Sequence, residues 1–259
     1  MTEANHLEVL WARAATPLGV SPRIHPDDLL WPFILGHPAF PDPVDAANYY
    51  FSDGAESARK LAELIERHVG PGRTGGARLL EFASGYGMVT RHLPRALPGV
   101  DVLSCDIHPA AVDFVRDQLG GKTMLSEHRP EDFDPHETFD VVFALSFFSH
   151  MPAATFGPWL AALYRAVRPG GVLAFTTHGL SSRAALGDPP VNADGFWFMP
   201  SSEQSDLDGG EYGSSLSTPD FVVRELYRHV GAPLAEYRGG YWWEHQDLYV
   251  VAKPIPATG

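Results

Sequence analysis

The sequence predicts an α/β fold built on a parallel sheet, and three observations predict it. Between residues 78 and 176, short apolar runs alternate with helical patterns, the signature of successive βα units. The first run ends in a glycine-bearing turn, Glu81-Phe82-Ala83-Ser84-Gly85-Tyr86-Gly87, directly before a helical pattern. The next run, VLSCD, ends in Asp106, about twenty residues beyond those glycines, the spacing of an acid beside a nucleotide-binding turn.

The elements follow in order. Residues 1–52, rich in Pro, Trp, Phe and Tyr and without a clean period, read as an N-terminal cap. Residues 57–68 place Leu61, Leu64 and Ile65 on one face and predict a helix packed on the sheet ahead of the first strand. Strands are expected at 79–83, 100–105, 122–126, 139–145 and 172–176, with helices at 88–96, 109–119 and 153–167. Arg168-Pro169-Gly170-Gly171 should stop the last helix and turn the chain into the fifth strand. Residues 180–216, a Gly, Ser, Asp and Pro-rich stretch interrupted by Gly195-Phe196-Trp197-Phe198-Met199, predict a lid-like insertion. Ser217-Thr218-Pro219-Asp220 then opens a helix over 221–230, and strands near 234–238 and 246–252 close the chain. The expected organisation is a cap (1–52) and a core (53–259) that carries the insertion.

Composition bounds the function. A chain of 259 residues, 44% hydrophobic, buries one main core. A net charge of -13, from 32 acidic and 19 basic residues, disfavours nucleic acid as a partner. The single cysteine, Cys105, lies in an apolar strand pattern and reads as a buried structural thiol, in keeping with a reducing cytoplasm. The N-terminus lacks a basic start followed by an apolar signal core, and no apolar run approaches the roughly 18 residues of a membrane span. A soluble cytoplasmic protein is expected, with a small-molecule substrate, no membrane partner and a homodimer open to it.

Gly85 and Gly87 let the backbone approach a ligand closely, and a following helix presents unpaired N–H groups to it; a tight turn with no ligand is the open alternative. Asp106 is placed to accept both hydroxyls of a ribose, a spacing that dinucleotide folds share. The G-x-G-x-x-G pattern of those folds is absent, and Glu81 sits where an acid can hold an amino group.

The ordered set LLEFASGYG, VLSCDIHP, FDVVFALSFFSHMP and LYRAVRPGGVLAFTTHG resembles the successive motifs of class I S-adenosylmethionine-dependent methyltransferases, over residues 55–180. The resemblance implies a Rossmann-like, doubly wound sheet of seven strands whose last strand is antiparallel, and S-adenosylmethionine as cofactor. It implies that Glu81, Ala83, Ser84, Gly85 and Gly87 form the turn that holds the methionine moiety. It implies likewise that Asp106 and Ile107 meet the ribose, and Leu145 and Ser146 the cofactor's amino acid. Ala83 replaces the family's first glycine, an exchange tolerated where that position keeps ordinary backbone angles. An acid for the adenine amino group often follows the third strand; here Glu127, or a backbone group near Arg129, takes that role. The closing HQDLYVVAKP resembles a subgroup that often acts on sugars or secondary metabolites.

Methyl transfer from a sulfonium is an in-line displacement, so alignment alone supplies on the order of 7 to 11 kcal/mol. A histidine base with a pKa near roughly 6.5 adds about 100- to 10,000-fold where the acceptor is a hydroxyl. His150 follows the fourth strand and His178 the fifth, at the sheet edge where ligands bind. An antiparallel last strand would bring His245 and Asp247 near His178. His178 or His245 is expected to assist deprotonation, with His150 reading more as a structural or cofactor-packing group; strand-end histidines that satisfy backbone groups are the alternative. Asp206, Asp208 and Glu211 match no metal-loop spacing, and no metal is expected. Three aromatic clusters predict a mostly apolar acceptor cavity, with Tyr50, Trp197 and Trp243 as substrate contacts.

The function expected is O-methylation of a small natural product or sugar-containing metabolite. A non-methylating enzyme of the same fold that keeps the cofactor, such as a cyclase or pericyclase, is the first alternative. A noncatalytic cofactor-binding protein is the second.

Overall fold

The computed structural model describes residues 3–70, 75–202 and 204–256; Met1 and Thr2 of the expected cap and Glu203 of the expected insertion lie outside them. The chain forms two compact units, residues 1–76 with 84–126, and residues 77–83 with 127–259.

In the first unit, helices α1 (Glu3–Ala15) and α2 (Leu30–Leu35) pack against α3 (Pro43–Val69). The Asp42 side chain caps α3 by accepting the Val44 N–H at 2.8 Å, Pro43 pre-sets its first turn, and Arg67 and His68 suit its carboxyl end. Ala47, Tyr50, Phe51, Gly54, Ala58, Leu61 and Ile65 recur at helical spacing and are buried. Leu10, Ala15, Ile24, Trp31, Ile34 and Met88 complete this unit's apolar cluster. The expected helix at 57–68 is therefore the second half of a longer one. It runs unbroken through residues 52 and 53, because the Asp-Pro cap lies upstream of the Tyr49-Tyr50-Phe51 run that hid the period. At Gly54 a Cβ would run into the Met88 carbonyl and the His92 ring, so glycine lets the helix approach that segment.

A regular helix was expected over 88–96. The chain instead makes a 3₁₀ turn at Thr90–His92 and one short helix, α4 (Leu93–Ala96). Pro94 has no N–H to give to the carbonyl four residues back, which disfavours helix continuing from residue 88 and suits the first turn of α4, where it lies. Strands β2 (Asp101–Asp106) and β3 (Lys122–Leu125) pair in parallel, with Asp106 opposite Leu125, and α5 (Pro109–Leu119) connects them.

The second unit holds the parallel strands β1 (Arg78–Phe82), β4 (Phe139–Ala144) and β5 (Val167–His178), with α6 (Ala153–Ala166) between the last two. Nearly every residue of β1 and β4 is buried, which is what strands covered on both faces require. Antiparallel to β5 lies β9 (Gln246–Ala252), and antiparallel to β9 lies β8 (Leu234–Trp242). The sheet order is β3-β2-β1-β4-β5-β9-β8, the seven-stranded, doubly wound arrangement with an antiparallel last strand. Strand β5 begins at Val167 rather than at 172, so the Arg168-Pro169-Gly170-Gly171 stretch lies inside it. Val167 pairs with Phe139 ahead of an irregularity, and Gly170 and Gly171 exchange backbone hydrogen bonds with Lys253 at 2.8 and 2.9 Å. Residues 180–216 are not a bare loop: Phe196–Met199 (β6) and Ser214–Ser217 (β7) form an antiparallel ribbon. Thr218 then caps α7 (Pro219–His229) by accepting the Phe221 N–H.

Candidate functional site

In the first unit the glycine turn leans on the end of β2. The Ser84 N–H donates to the Cys105 carbonyl at 3.0 Å and the Gly85 N–H to Asp106 Oδ2 at 2.7 Å. Gly85 (φ 53) and Gly87 (φ 77) are left-handed, which a Cβ disfavours. A Cβ on Gly87 would meet Leu119, whereas nothing lies within 4 Å of one on Gly85, so the turn keeps open space at that point. Asp106 is 6% exposed, and its Oδ1 accepts the His108 N–H at 3.0 Å. Oδ1 also lies 2.9 Å from His108 Nδ1, so the further lone pair for a ligand hydroxyl is on Oδ2. Ile107 beside it is half-buried. Burial pushes the Cys105 thiol up to about 12, leaving it unreactive.

Tyr50 is a core residue of this unit and not part of an acceptor surface. It has no exposed area, and its hydroxyl donates to Asp28 Oδ2 at 2.7 Å. Burial raises the pKa values of both groups, so the proton stays between them.

In the second unit, Glu81 is buried near the end of β1. Ala83, expected to keep ordinary angles, instead has φ 58, so alanine occupies a left-handed position under strain. Glu127 and Arg129 are exposed, and Leu145 is half-buried. Ser146, also left-handed at φ 62, closes a ring of hydrogen bonds with two residues that the sequence did not single out. Its N–H donates to Thr176 Oγ1 (2.8 Å), Thr176 Oγ1 donates to Gln246 Oε1 (2.7 Å), and Gln246 Nε2 donates to Ser146 Oγ (2.9 Å). The register that puts His178 opposite Gln246 makes this possible.

That register also brings the expected histidines together. Ring centroids of His150 and His178 are 6.1 Å apart, and those of His178 and His245 are 5.9 Å apart. Each Nδ1 faces a backbone carbonyl: His150 that of Gly213 at 2.7 Å, His178 that of Ser215 at 3.2 Å, His245 that of Trp243 at 3.0 Å. A carbonyl only accepts, so the proton of each neutral ring sits on Nδ1 and the lone pair on Nε2. Burial, with smaller effects from His150 and His245, lowers the His178 pKa to about 3; burial also lowers that of His245. His150 stacks on Tyr212 (4.5 Å, 10°), and its carbonyl accepts the Gly213 N–H, so it anchors the ribbon.

Asp247 does not join the histidines. It pairs with Thr177, and side-chain alternation turns it to the opposite face from His178. There it accepts the Gly240 N–H (2.8 Å) and the Tyr237 hydroxyl (3.0 Å), and burial raises its pKa. Trp197 is half-buried in β6, and Trp243 (φ 53) lies half-buried in the turn before β9, its ring against His245. Among the described residues no three His, Cys, Asp or Glu side chains are grouped to hold a metal ion, and no helix is long and apolar enough to cross a membrane. Asp208 holds its own turn instead, accepting the Gly210 N–H at 2.8 Å.

A family model described as a methyltransferase domain matches residues 80–173. Malonyl-[acyl-carrier protein] O-methyltransferase of Serratia marcescens is 31% identical over 150 residues, which cover 54% of this chain and 56% of that protein. Ubiquinone biosynthesis O-methyltransferase of Paramagnetospirillum magneticum is 30% identical over 112 residues, covering 42% and 43%. The chain thus aligns with about half the length of these curated relatives. Among solved structures, Streptomyces venezuelae DesVI is similar at a TM-score of 0.59 and 17% identity, covering 89% of this chain and 99% of that one. The glycopeptide N-methyltransferase MtfA, complexed with S-adenosylmethionine, is similar at 0.55 and 18%, covering 78% and 95%. These two likenesses are of fold. Residues 80–173 thus match a methyltransferase domain, set in a fold similar to that of S-adenosylmethionine-dependent methyltransferases.

Proposed function

We propose that the chain transfers the methyl group of S-adenosylmethionine to a hydroxyl of a small natural product or sugar-containing metabolite. The observation that carries the hydroxyl is the row His150, His178, His245, three imidazoles whose Nδ1 atoms are committed to carbonyls. An aliphatic hydroxyl is a weak nucleophile until its proton is taken, and a neutral imidazole has its lone pair on Nε2 to take it, although the burial that lowers His178 to about 3 weakens that ring as a base. The two curated relatives are named O-methyltransferases, which favours the same acceptor atom.

The cofactor reading rests on the methyltransferase-domain match over residues 80–173 and on the fit of the first unit's turn. Open space at Gly85 admits the ligand, and Asp106 Oδ2 has a lone pair left for a ribose hydroxyl beside Ile107. Glu81, Ala83, Ser84 and Gly87, with Leu145 and Ser146, are proposed for the amino-acid end, and Glu127 or the backbone near Arg129 for the adenine. The cofactor, when bound, supplies a methyl group on a sulfonium. His178 Nε2 receives the acceptor's proton, with His245 as its alternative, and Trp197 and Trp243 supply apolar surface to a ring-bearing acceptor. A cytoplasmic role in natural-product biosynthesis is part of this reading.

Calorimetry with S-adenosylmethionine and S-adenosylhomocysteine tests the cofactor. Incubating metabolite extracts with isotopically labelled methyl donor tests the reaction, with labelled oxygen-linked methyl and S-adenosylhomocysteine release expected together. Product without that release would establish the non-methylating alternative, and label on nitrogen would remove the hydroxyl. His178→Gln or His245→Gln should cost about 100-fold or more in turnover with cofactor affinity kept. Unchanged turnover in both variants sinks the base assignment.

A further inference from the structure

Arg91 is 7% exposed, and among the described residues no carboxylate bonds to its guanidinium directly. A guanidinium has five N–H donors, and here five oxygens receive them. Nε donates to the Gly87 carbonyl at 2.9 Å, and Nη1 to the Ser21 and Arg23 carbonyls at 2.9 and 2.8 Å. Nη2 donates to the Tyr50 hydroxyl and the Tyr86 carbonyl, both at 3.4 Å. The side chain therefore joins two segments far apart in sequence: the glycine turn at Tyr86 and Gly87, and the stretch from Ser21 to Asp28, which it reaches directly and through the Tyr50–Asp28 hydrogen bond. A second contact joins the same segments: the His25 ring stacks on Tyr86 at 4.7 Å and 14°. The guanidinium also lies 5.4 Å from the Tyr50 ring and 5.3 Å from the Phe51 ring, which fixes it from the side of α3.

We propose that Arg91 is a positioning residue for the cofactor, through which residues 21–28, helped by the His25–Tyr86 stack, hold the glycine turn in its binding conformation. This rests on the reading that the turn binds the cofactor. Two of the turn's residues are left-handed glycines, which are free to move in the absence of outside restraint, and the Arg91 side chain bonds to both the Tyr86 and Gly87 carbonyls. Lysine keeps the charge but cannot reproduce the planar fork, so it can serve one segment but not both at once.

The full-length chain, Arg91→Lys and His25→Leu are titrated with S-adenosylhomocysteine by calorimetry, and backbone hydrogen exchange is followed by mass spectrometry. The dissociation constant of Arg91→Lys should rise on the order of tenfold. Exchange should quicken over residues 84–88 while β4 and β5 keep their protection. His25→Leu, which leaves the guanidinium in place, should show the same pattern with a rise of several-fold, and it decides the matter if Arg91→Lys does not fold. Lower thermal stability with unchanged affinity in both variants would mean a purely structural role and would overturn the proposal. Failure of the unaltered chain to bind S-adenosylhomocysteine would instead refute the cofactor reading beneath it.

Discussion

At Ala83 (φ 58), an L residue bears a cost of about 1 to 2 kcal/mol that glycine does not. Ala83→Gly should therefore stabilise the chain by roughly 0.5 to 1 kcal/mol, the relief being partly offset by a more flexible unfolded state. A lower urea midpoint for this variant would contradict the assignment of strain. His178 gives a pH prediction. Its folded pKa, lowered to about 3, lies below the ordinary 6.5. Above pH 6.5 neither state binds the proton, so stability is flat. Between 6.5 and 3 the unfolded chain takes a proton that the buried ring refuses, and stability falls with pH by at most about 1.4 kcal/mol per unit. His92, lowered to about 4 by burial, adds to the same trend. His178→Gln should therefore flatten the acid limb of urea-unfolding free energy without abolishing it; an unchanged slope would place His178 in contact with solvent. The positions of Gly85, Gly87 and Asp106 were legible in the sequence because turn chemistry and spacing are local. The strain at Ala83 was not, since a one-letter code does not display φ.

Among the elements, the β6–β7 ribbon carries the sharpest test. A Cβ on Gly213 would run into the Met199 carbonyl and the Phe198 ring, next to its hydrogen bonds with the His150 carbonyl and the His150 ring. Gly213→Ala should cost about 1 to 3 kcal/mol through overpacking. It should speed amide exchange in Ser214–Ser217 while leaving α6 protected, and equal protection of the ribbon would show that it does not depend on this close approach. Where sequence and structure part, the cause lies in partners from elsewhere in the chain. Arg168-Pro169-Gly170-Gly171 has the local chemistry of a helix stop, yet hydrogen bonds between Lys253 and Gly170 and Gly171 hold it in the strand. Residues 196–199 resembled an interruption in a loop until Ser214–Ser217 paired with them. The start of α3 was within reach, since Asp42-Pro43 is an N-cap followed by a first-turn proline.

For the whole molecule, a ligand that binds only the folded chain raises its stability by mass action. S-adenosylhomocysteine at about 100 times its dissociation constant should add about 2.7 kcal/mol, read as a higher thermal midpoint. No shift at any concentration would remove the cofactor. The net charge of -13 predicts no retention on a polyanion column even at low salt, and salt-dependent retention would reveal a basic patch that the average conceals. By itself the sequence determined the alternation of strands and helices and the glycine turn with Asp106 after it, because periodicity, capping and turn preferences act over a few residues. Only the tertiary structure decided that Asp247 turns away from His178, that Gln246 and Thr176 lock Ser146, and that Arg91 ties Ser21 and Arg23 to Gly87. Those outcomes follow from strand register and from which buried donor meets which buried acceptor, and both are fixed only when distant segments pack.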